Sequence, residues 1–474
     1  MRVKKGESIM GKLFGPVDMT KGTPWKKIGI FTIPMLLGNI AQQLYNTVDS
    51  VVVGKYIGDS ALAAVGSAGP VVNLLIVLFV GISVGASIVV SQYLGARIRD
   101  GLSHTIGNCI TLTFIASLLI MVVATLLARP MLQLLNTPDS IIDWCTSYLR
   151  ILFLGSAGLA FFNILSGVLR GLGDSVSALI YLLISSMINI ILDLFFVSVL
   201  KLGVDGVAYA TIIAQGISGL LCFLKLKRMD TLFDIKPQNL KLKKEFAIDI
   251  IRLGFPSGVS QAILATSMLL VQSLTNSFGE LFIAANVMVM RVDGFAMLPN
   301  QSFGNGLTTY AGQNVGAGDQ ARVEQGARQG TLMTIITTSV ITVSILIFGR
   351  NLMGIFTNTE ELIATSMKMM MILAPGYVAM GIVQGLTGVM RGAGDTITPM
   401  WIAITMTLFI RVPLSYLLIF LTKSAQYPQG RKEYIFISLT LSLIMGAVMS
   451  VYFYRRGKWR GKSVVDSEVR NTEK

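Results

Sequence analysis

The sequence predicts an all-α polytopic membrane protein with twelve transmembrane helices in two six-helix lobes, the lobes related by a parallel internal repeat. Three observations carry that expectation. Charged residues make up 14% of the 474-residue chain, against about 25% in soluble proteins. Uncharged runs such as 105–128 and 253–279 exceed the roughly 20 residues that span a hydrocarbon core. A short motif also recurs at a fixed offset. Within lipid only helices or closed barrels satisfy the backbone, and these continuous apolar runs lack the alternation of barrel strands.

Taken in order, apolar runs bounded by charge clusters and Gly/Pro breaks predict spans near 26–54, 61–94, 103–128, 141–166, 176–200 and 206–226. A second set follows near 247–277, 282–314, 326–348, 362–388, 397–421 and 433–454. Residues 1–25 are expected as a cytoplasmic N-terminal segment, 26–226 as the N-lobe, 227–246 as a cytoplasmic linker, 247–454 as the C-lobe and 455–474 as a cytoplasmic tail. The linker holds Lys236, Lys241, Lys243 and Lys244. Basic residues gather in alternate loops: Arg97 and Arg99, Arg170, the linker, Arg322 and Arg328, Arg391, and a tail with Arg455, Arg456, Lys458 and Arg460. That side is expected to be cytoplasmic, with both termini on it and the chain in the inner (plasma) membrane. Lys423, Arg431 and Lys432 are the exception on the opposite side.

The net charge of +14 fits cytoplasmic loops on an anionic lipid surface, and no nucleic-acid motif accompanies it. Cys109, Cys145 and Cys222 lie in separate spans with no paired spacing, so neither a disulfide framework nor a metal site is expected. The basic N-terminus lacks the apolar core and cleavage site of a signal peptide.

The repeat is read from VLRGLGDS, beginning at Val168, and VMRGAGDT, beginning at Val389, an offset of 221. Gly95–Ala96 and Gly316–Ala317 keep it, as do Arg129 and Arg350, and Pro34 lies 222 before Pro256. Six helices fit in that interval, so both halves enter the membrane in the same sense, an architecture that secondary transporters use.

Chemistry concentrates in the first half. Gln42, Asn46 and Asp49 are spaced i, i+4, i+7 and share one face of the first span. Asp193, Asn189 and Ser186 do the same on the fifth span, Thr211, Gln215 and Ser218 on the sixth, and Asn163 lies on the fourth. An ionisable residue in a bilayer costs roughly 2.5 kcal/mol or more and turns toward the bundle interior. Packed together, these oxygens suit Na+ or a shared proton. Neighbouring amides could instead cap the two acids and merely hold helices together, and the amide and hydroxyl residues taken singly serve as interhelical glue.

The second half does not copy the acids: position 49 maps near Gln272, and Asp193 maps to Leu414. It offers Asp293 with Arg291, and Arg411 beside Pro413. Arg291 and Asp293, two apart, do not share a helix face. Asp293 is a candidate substrate or cation contact, or else a packing residue. Met288, Met290 and Met297, with a further group near Met369, suit a pocket that accepts several apolar shapes, or ordinary packing. Pro34, Pro70, Pro256, Pro299, Pro375 and Pro413 fall within spans and can kink them. No Walker A loop is present, and His104 has no partner pattern.

The segments PMLLGNIAQQLYNTVDSVVVGKYIG, LAAVGSAGP, NIILD, GVAYATIIAQ and MRVDGFAMLPNQSFG, with the repeated RGLGDS and RGAGDT loops, resemble those of the multidrug and toxic compound extrusion (MATE) transporters over essentially the whole chain. The likeness is closest to prokaryotic members of the DinF-like type. It implies a two-lobe fold opening alternately to each side and exporting organic cations in exchange for Na+ or H+, with no other cofactor. By position, the family's N-lobe cation site falls on Asp49, Asp193, Asn189, Asn163, Thr211 and Gln42, with any Na+ at Asp49 and Asp193, and its helix 1 hinge falls on Pro34. The chain departs from members with a C-lobe acid pair, offering uncharged Ala265 and Thr266 and the stretch 379–383 at those places.

The expected function is therefore a cation-coupled efflux antiporter for amphipathic organic cations. Asp293, Arg291, Met288 and Met297 are its candidate substrate or cation contacts, and no obligatory protein partner is evident. The alternative is a flippase for a lipid-linked precursor, which would call for more basic residues to pair phosphate. A membrane-embedded enzyme would need a nucleophile with a base, or a metal cluster, inside the spans. The residues offer neither.

Overall fold

The computed structural model describes residues 15–135, 137–354 and 357–465. The expected N-terminal segment lies outside the described residues as far as position 14, and the expected tail lies outside them beyond position 465. Among the described residues the regular structure is entirely helical.

The first half comprises α1 (Pro24–Tyr56), α2 (Asp59–Ala96), α3 (Arg99–Leu134), α4 (Asp139–Leu154), α5 (Ser156–Gly171), α6 (Ser175–Leu194) with a π-helical continuation Phe195–Val199, and α7 (Gly203–Lys227). The second comprises α8 (Lys244–Asn276), α9 (Glu280–Gly316), α10 (Gln320–Gly354), α11 (Glu360–Gly392), α12 (Ile397–Ile404), a π-helical segment Thr405–Arg411, α13 (Val412–Leu421) and α14 (Tyr434–Arg456). Ten described helices are long and apolar enough to cross a membrane, and α4 with α5 forms an eleventh, bent span. The 33-residue α1, uncharged from Ile28 to Val48, completes twelve.

Several spans exceed their expected length because charged ends extend past the hydrocarbon; α3 runs 36 residues against the expected 103–128. The fourth span, expected as one helix over 141–166, bends by 53° at Gly155. There a Cβ would lie 2.2 Å from Ile212 of α7, so only glycine admits that helix. The π-helical segments in the fifth and eleventh spans carry no signal in the apolar pattern. Lipid-facing surface is plain on α3, where Phe114, Leu119 and Leu126 are exposed, the arrangement an apolar solvent permits.

Contacts divide the chain into two units, residues 1–18 with 33–258 and residues 19–32 with 259–474. Each division within a helix falls close to a proline. In α1 it lies between Thr32 and Ile33, beside Pro34; in α8 it lies between Gly258 and Val259, just past Pro256. Each unit thus holds the leading turns of the other half's first helix.

Small residues permit close helix contact within both units. In the first, Gly81 and Gly85 of α2 face Gly254 and Gly258 of α8, and a Cβ at Gly85 would lie 2.2 Å from the Ile250 carbonyl oxygen. Such small-xxx-small pairs bring membrane helices backbone to backbone. In the second, Gly306 of α9 receives Thr32 of α1, whose Oγ1 would sit 2.4 Å from a Cβ.

The repeated loop has one construction in both units. Gly173 (φ +86°) and Gly394 (φ +96°) take left-handed backbone, where a Cβ would be strained. The following aspartate caps the next helix. Asp174 accepts from Ser177 N (2.9 Å) and Oγ (2.8 Å), and Asp395 from Thr398 N (3.2 Å) and Oγ1 (2.7 Å). Each carboxylate is buried and paired with a lysine, Lys225 at 3.4 Å and Lys462 at 3.0 Å.

The linker docks on α3. Lys243 N donates to Asn108 Oδ1 (2.9 Å), Lys243 Nζ lies 2.8 Å from His104 Nε2, and His104 stacks on Phe246.

Candidate functional site

The first unit encloses a cavity of about 290 Å³ between α1, α2 and the α4–α7 segment. Period 3.6 on α1 turns Pro34, Gly38, Gln42, Tyr45, Asn46 and Asp49 into it, as the stripe predicts. Asn163 from α5 and Thr211 and Gln215 from α7 complete the polar wall. Asp193 lies behind that wall, fully buried, with its carboxyl in hydrogen-bond contact with that of Asp49.

Asn189, one turn before Asp193, binds the group together. With its amide nitrogen toward the acid, it donates to Asp193 Oδ2 at 2.7 Å and to Tyr45 Oη at 3.2 Å, and its oxygen accepts from Thr211 N at 3.1 Å. Asn163 donates to the Leu159 carbonyl at 2.8 Å and lines the wall from one side. Gln42 lies at the exposed edge. Ser186 and Ser218 share the predicted stripes but bond backbone carbonyls, of Leu182 and Tyr181 respectively. Ser186 thus bonds within its own helix, whereas Ser218 ties α7 to α6.

Two ionised carboxylates in contact repel, so this arrangement calls for a shared proton or an intervening cation. Asp49 Oδ1, Asp193 Oδ1 and Gln215 Oε1 are enclosed without a hydrogen-bond donor. Oxygen acceptors lacking donors are the ligand type of a hard monovalent cation or of a proton. Among the described residues no group of three or more His, Cys, Asp or Glu has metal-binding geometry.

Three further residues lining this cavity escape a reading by polar stripes. Tyr45 and Tyr148 lie within electrostatic reach of both acids; Tyr45 stands four residues before Asp49, a spacing that could have flagged it. Arg170, first read as a topology marker, lines the same cavity and donates to Ser83 Oγ (3.2 Å) and Ser166 Oγ (3.3 Å).

A separate cavity of about 380 Å³ lies within the second unit. Asp293, Met297 and Arg411 line it, and the Tyr377 hydroxyl donates to Asp293 Oδ1. Met288 and Arg291 do not reach it. Two residues are about 200° of helix, so Arg291 is exposed while Asp293 turns inward; Met288 is packed into the apolar core with Phe282 and Met369.

Comparison with known proteins agrees with this architecture. The profile of the family MatE matches twice, over residues 34–195 and 256–417. The copies are 222 residues apart at both ends, beginning at Pro34 and Pro256, so the internal repeat spans nearly both halves. The probable multidrug resistance proteins YpnP and YoeA of Bacillus subtilis are each 29% identical, over 94% and 85% of this chain and 97% and 89% of their own length. The probable multidrug resistance protein NorM of Thermotoga maritima is 23% identical over 94% of this chain and 95% of its own. An outward-facing multidrug resistance MATE family transporter of the MOP superfamily superposes with a TM-score of 0.85 at 24% identity, covering 93% of this chain and 97% of that one. Matched twice by the family profile over most of its length, and folded like a solved member, the chain belongs to the MATE family, a family of membrane transporters and not of enzymes.

Proposed function

We propose that this protein is a secondary multidrug exporter that exchanges Na+ or H+ for amphipathic organic cations, with Asp49 and Asp193 as the coupling pair. The observation that carries the reading is the carboxyl–carboxyl contact of these residues at a cavity wall built from Asn189, Thr211, Gln42 and Asn163. An incoming cation removes the repulsion between the acids; an organic cation in the same cavity competes for that negative charge. Occupancy by one therefore disfavours the other, which is the thermodynamic requirement for exchange. Alternating access follows if the two occupants favour different shapes of α1. Pro34 faces the cavity and frees one backbone carbonyl in that helix, so we assign it the hinge. Asp293 and Met297 are assigned as further substrate contacts, in the cavity of the second unit. The relatives' names as multidrug resistance proteins support the substrate class. The bias of Lys and Arg toward one set of loops supports a plasma-membrane location with both termini cytoplasmic.

The test is efflux of ethidium from proteoliposomes under separately imposed Na+ and H+ gradients. One gradient is expected to drive export by the wild type, and Asp49→Asn and Asp193→Asn are each expected to lower the driven rate at least about tenfold, a barrier change of roughly 1.4 kcal/mol. Driven export that persists in both variants would return the acids to a structural role.

A further inference from the structure

One edge of the second unit carries an open groove of about 1180 Å³ between α10, the end of α14 and the chain that follows α14. Its charged lining is three arginines, Arg328, Arg455 and Arg460, against one carboxylate, Glu324. That carboxylate is already engaged, since Arg460 Nη2 donates to Glu324 Oε1 at 2.6 Å. Arg328 and Arg455 are exposed and form no ion pair among the described residues. The wall that carries Arg460 is fixed in place. The chain leaves α14 through Gly457 (φ +72°); the buried Trp459 then donates from Nε1 to the Tyr454 carbonyl at 2.9 Å, and Arg460 lies 5.4 Å over the Trp459 ring. On α10, Arg328, Leu332 and Ile335 are spaced i, i+4, i+7 and share one face. At 1.5 Å per residue, Leu332 and Ile335 stand about 6 and 10 Å further along the helix than Arg328. The groove is therefore basic where the Arg-rich loops gather and apolar toward the middle of the span, where Leu332 is 54% exposed.

We propose that this groove seats one anionic phospholipid, its phosphate against Arg328 and Arg455 and the first methylenes of an acyl chain along Leu332 and Ile335. Guanidinium groups pair phosphate oxygens in a planar fork, which makes unpartnered arginines at a membrane edge a phosphate site. A zwitterionic lipid would bring an ammonium group against a lining of net positive charge. A soluble phosphate would meet the arginines but leave the apolar wall of α10 uncovered. Attraction of basic loops to an anionic surface is spread over every such loop, whereas this groove adds a fixed wall and a track for one chain. The proposal goes beyond the export reading and is independent of it, since it needs neither a coupling ion nor a carried substrate.

The experiment is native mass spectrometry of the full-length protein in detergent, titrated with dioleoyl phosphatidylglycerol or dioleoyl phosphatidylcholine and read as the affinity for the first lipid bound. The wild type is expected to prefer phosphatidylglycerol at least about tenfold, and Arg328→Gln with Arg455→Gln to lose at least about tenfold of that affinity while leaving phosphatidylcholine unchanged. Lys227→Gln with Lys241→Gln removes the same charge from exposed positions of the first unit and is expected to change the affinity by less than about twofold. Glycerol 3-phosphate in large excess should leave the lipid bound. Equal affinity of the wild type for the two lipids, or equal losses in the two double variants, overturns the proposal. Displacement by glycerol 3-phosphate overturns it in favour of a soluble phosphate ligand. Should the double arginine variant fail to fold, Arg328→Gln and Arg455→Gln are read singly, each with an expected loss of about fivefold, and no loss in either has the same overturning force. Efflux plays no part in this readout.

Discussion

Asp49 and Asp193 are 144 residues apart and lie on different helices, yet their carboxyls touch because each occupies the inward face of its own helix. Asn189 holds the pair through Asp193 Oδ2 and is itself bonded to the Tyr45 hydroxyl. Tyr45→Phe removes one hydroxyl that accepts from Asn189 and leaves the acids, so its effect is expected to be smaller than that of Asp49→Asn, about two- to fivefold on the driven efflux rate. Outside the membrane, Asp234 in the linker accepts from Arg99 Nε and Nη2, both at 3.3 Å. These hydrogen bonds hold its carboxyl below the usual carboxylate range. The sign follows from linkage. A carboxyl depressed on folding adds stability above its unfolded value of about 3.9, and loses it only as pH falls through the lower folded value. Tryptic cleavage at the linker lysines is therefore expected to show no step between about pH 6 and pH 8 beyond trypsin's own profile. Arg99→Ala should accelerate it throughout that range.

At the scale of elements, helix contacts are set by what glycine leaves out. Gly85→Ala would push a methyl into the Ile250 carbonyl oxygen, an overpacking expected to cost about 1–3 kcal/mol and to lower the thermal midpoint in detergent. Gly66→Ala on the same helix meets nothing within 4 Å and should leave that midpoint unchanged or slightly raised. If the two substitutions proved equivalent, the small-residue contact of α2 with α8 would not limit stability. Pro34→Ala restores a backbone donor to α1 and is expected to slow driven efflux while sparing ethidium binding. Loss of binding with unchanged turnover would instead make Pro34 a lining residue only.

Across the whole molecule, the repeat extends to its supports. Asp174 is countered by Lys225 at the end of α7, whereas Asp395, 2% exposed, is countered by Lys462 from beyond α14. Lys462 is held there because the chain after α14 folds back, with Trp459 buried and stacked on Tyr454. Lys462→Ala leaves Asp395 its helix-capping bonds but removes its cation. Because Lys462 is partly solvated, the expected cost is about 1 kcal/mol, read as a fall in thermal midpoint that added salt reduces. Two relatives of one ancestral half have thus obtained the same charge from different parts of the chain.

Much of the architecture is present in the linear order, because membrane spans advertise themselves as long apolar runs and a duplicated half as a recurring loop. The inward stripe on α1 is likewise local, since a period of 3.6 needs no tertiary information. What the tertiary structure alone decided is of another kind. The bend at Gly155 depends on how closely α7 approaches. The two π-helical segments carry no compositional mark. Tyr148 and Arg170 enter the site from helices whose rotation no periodicity reveals, and Met288 and Arg291 stay out of the second cavity for the same reason. The acid pair shows the limit most directly: sequence places each carboxylate on a face, but only the packing of α1 against α6 and α7 puts the two in contact, and the contact creates the electrostatic demand for a cation.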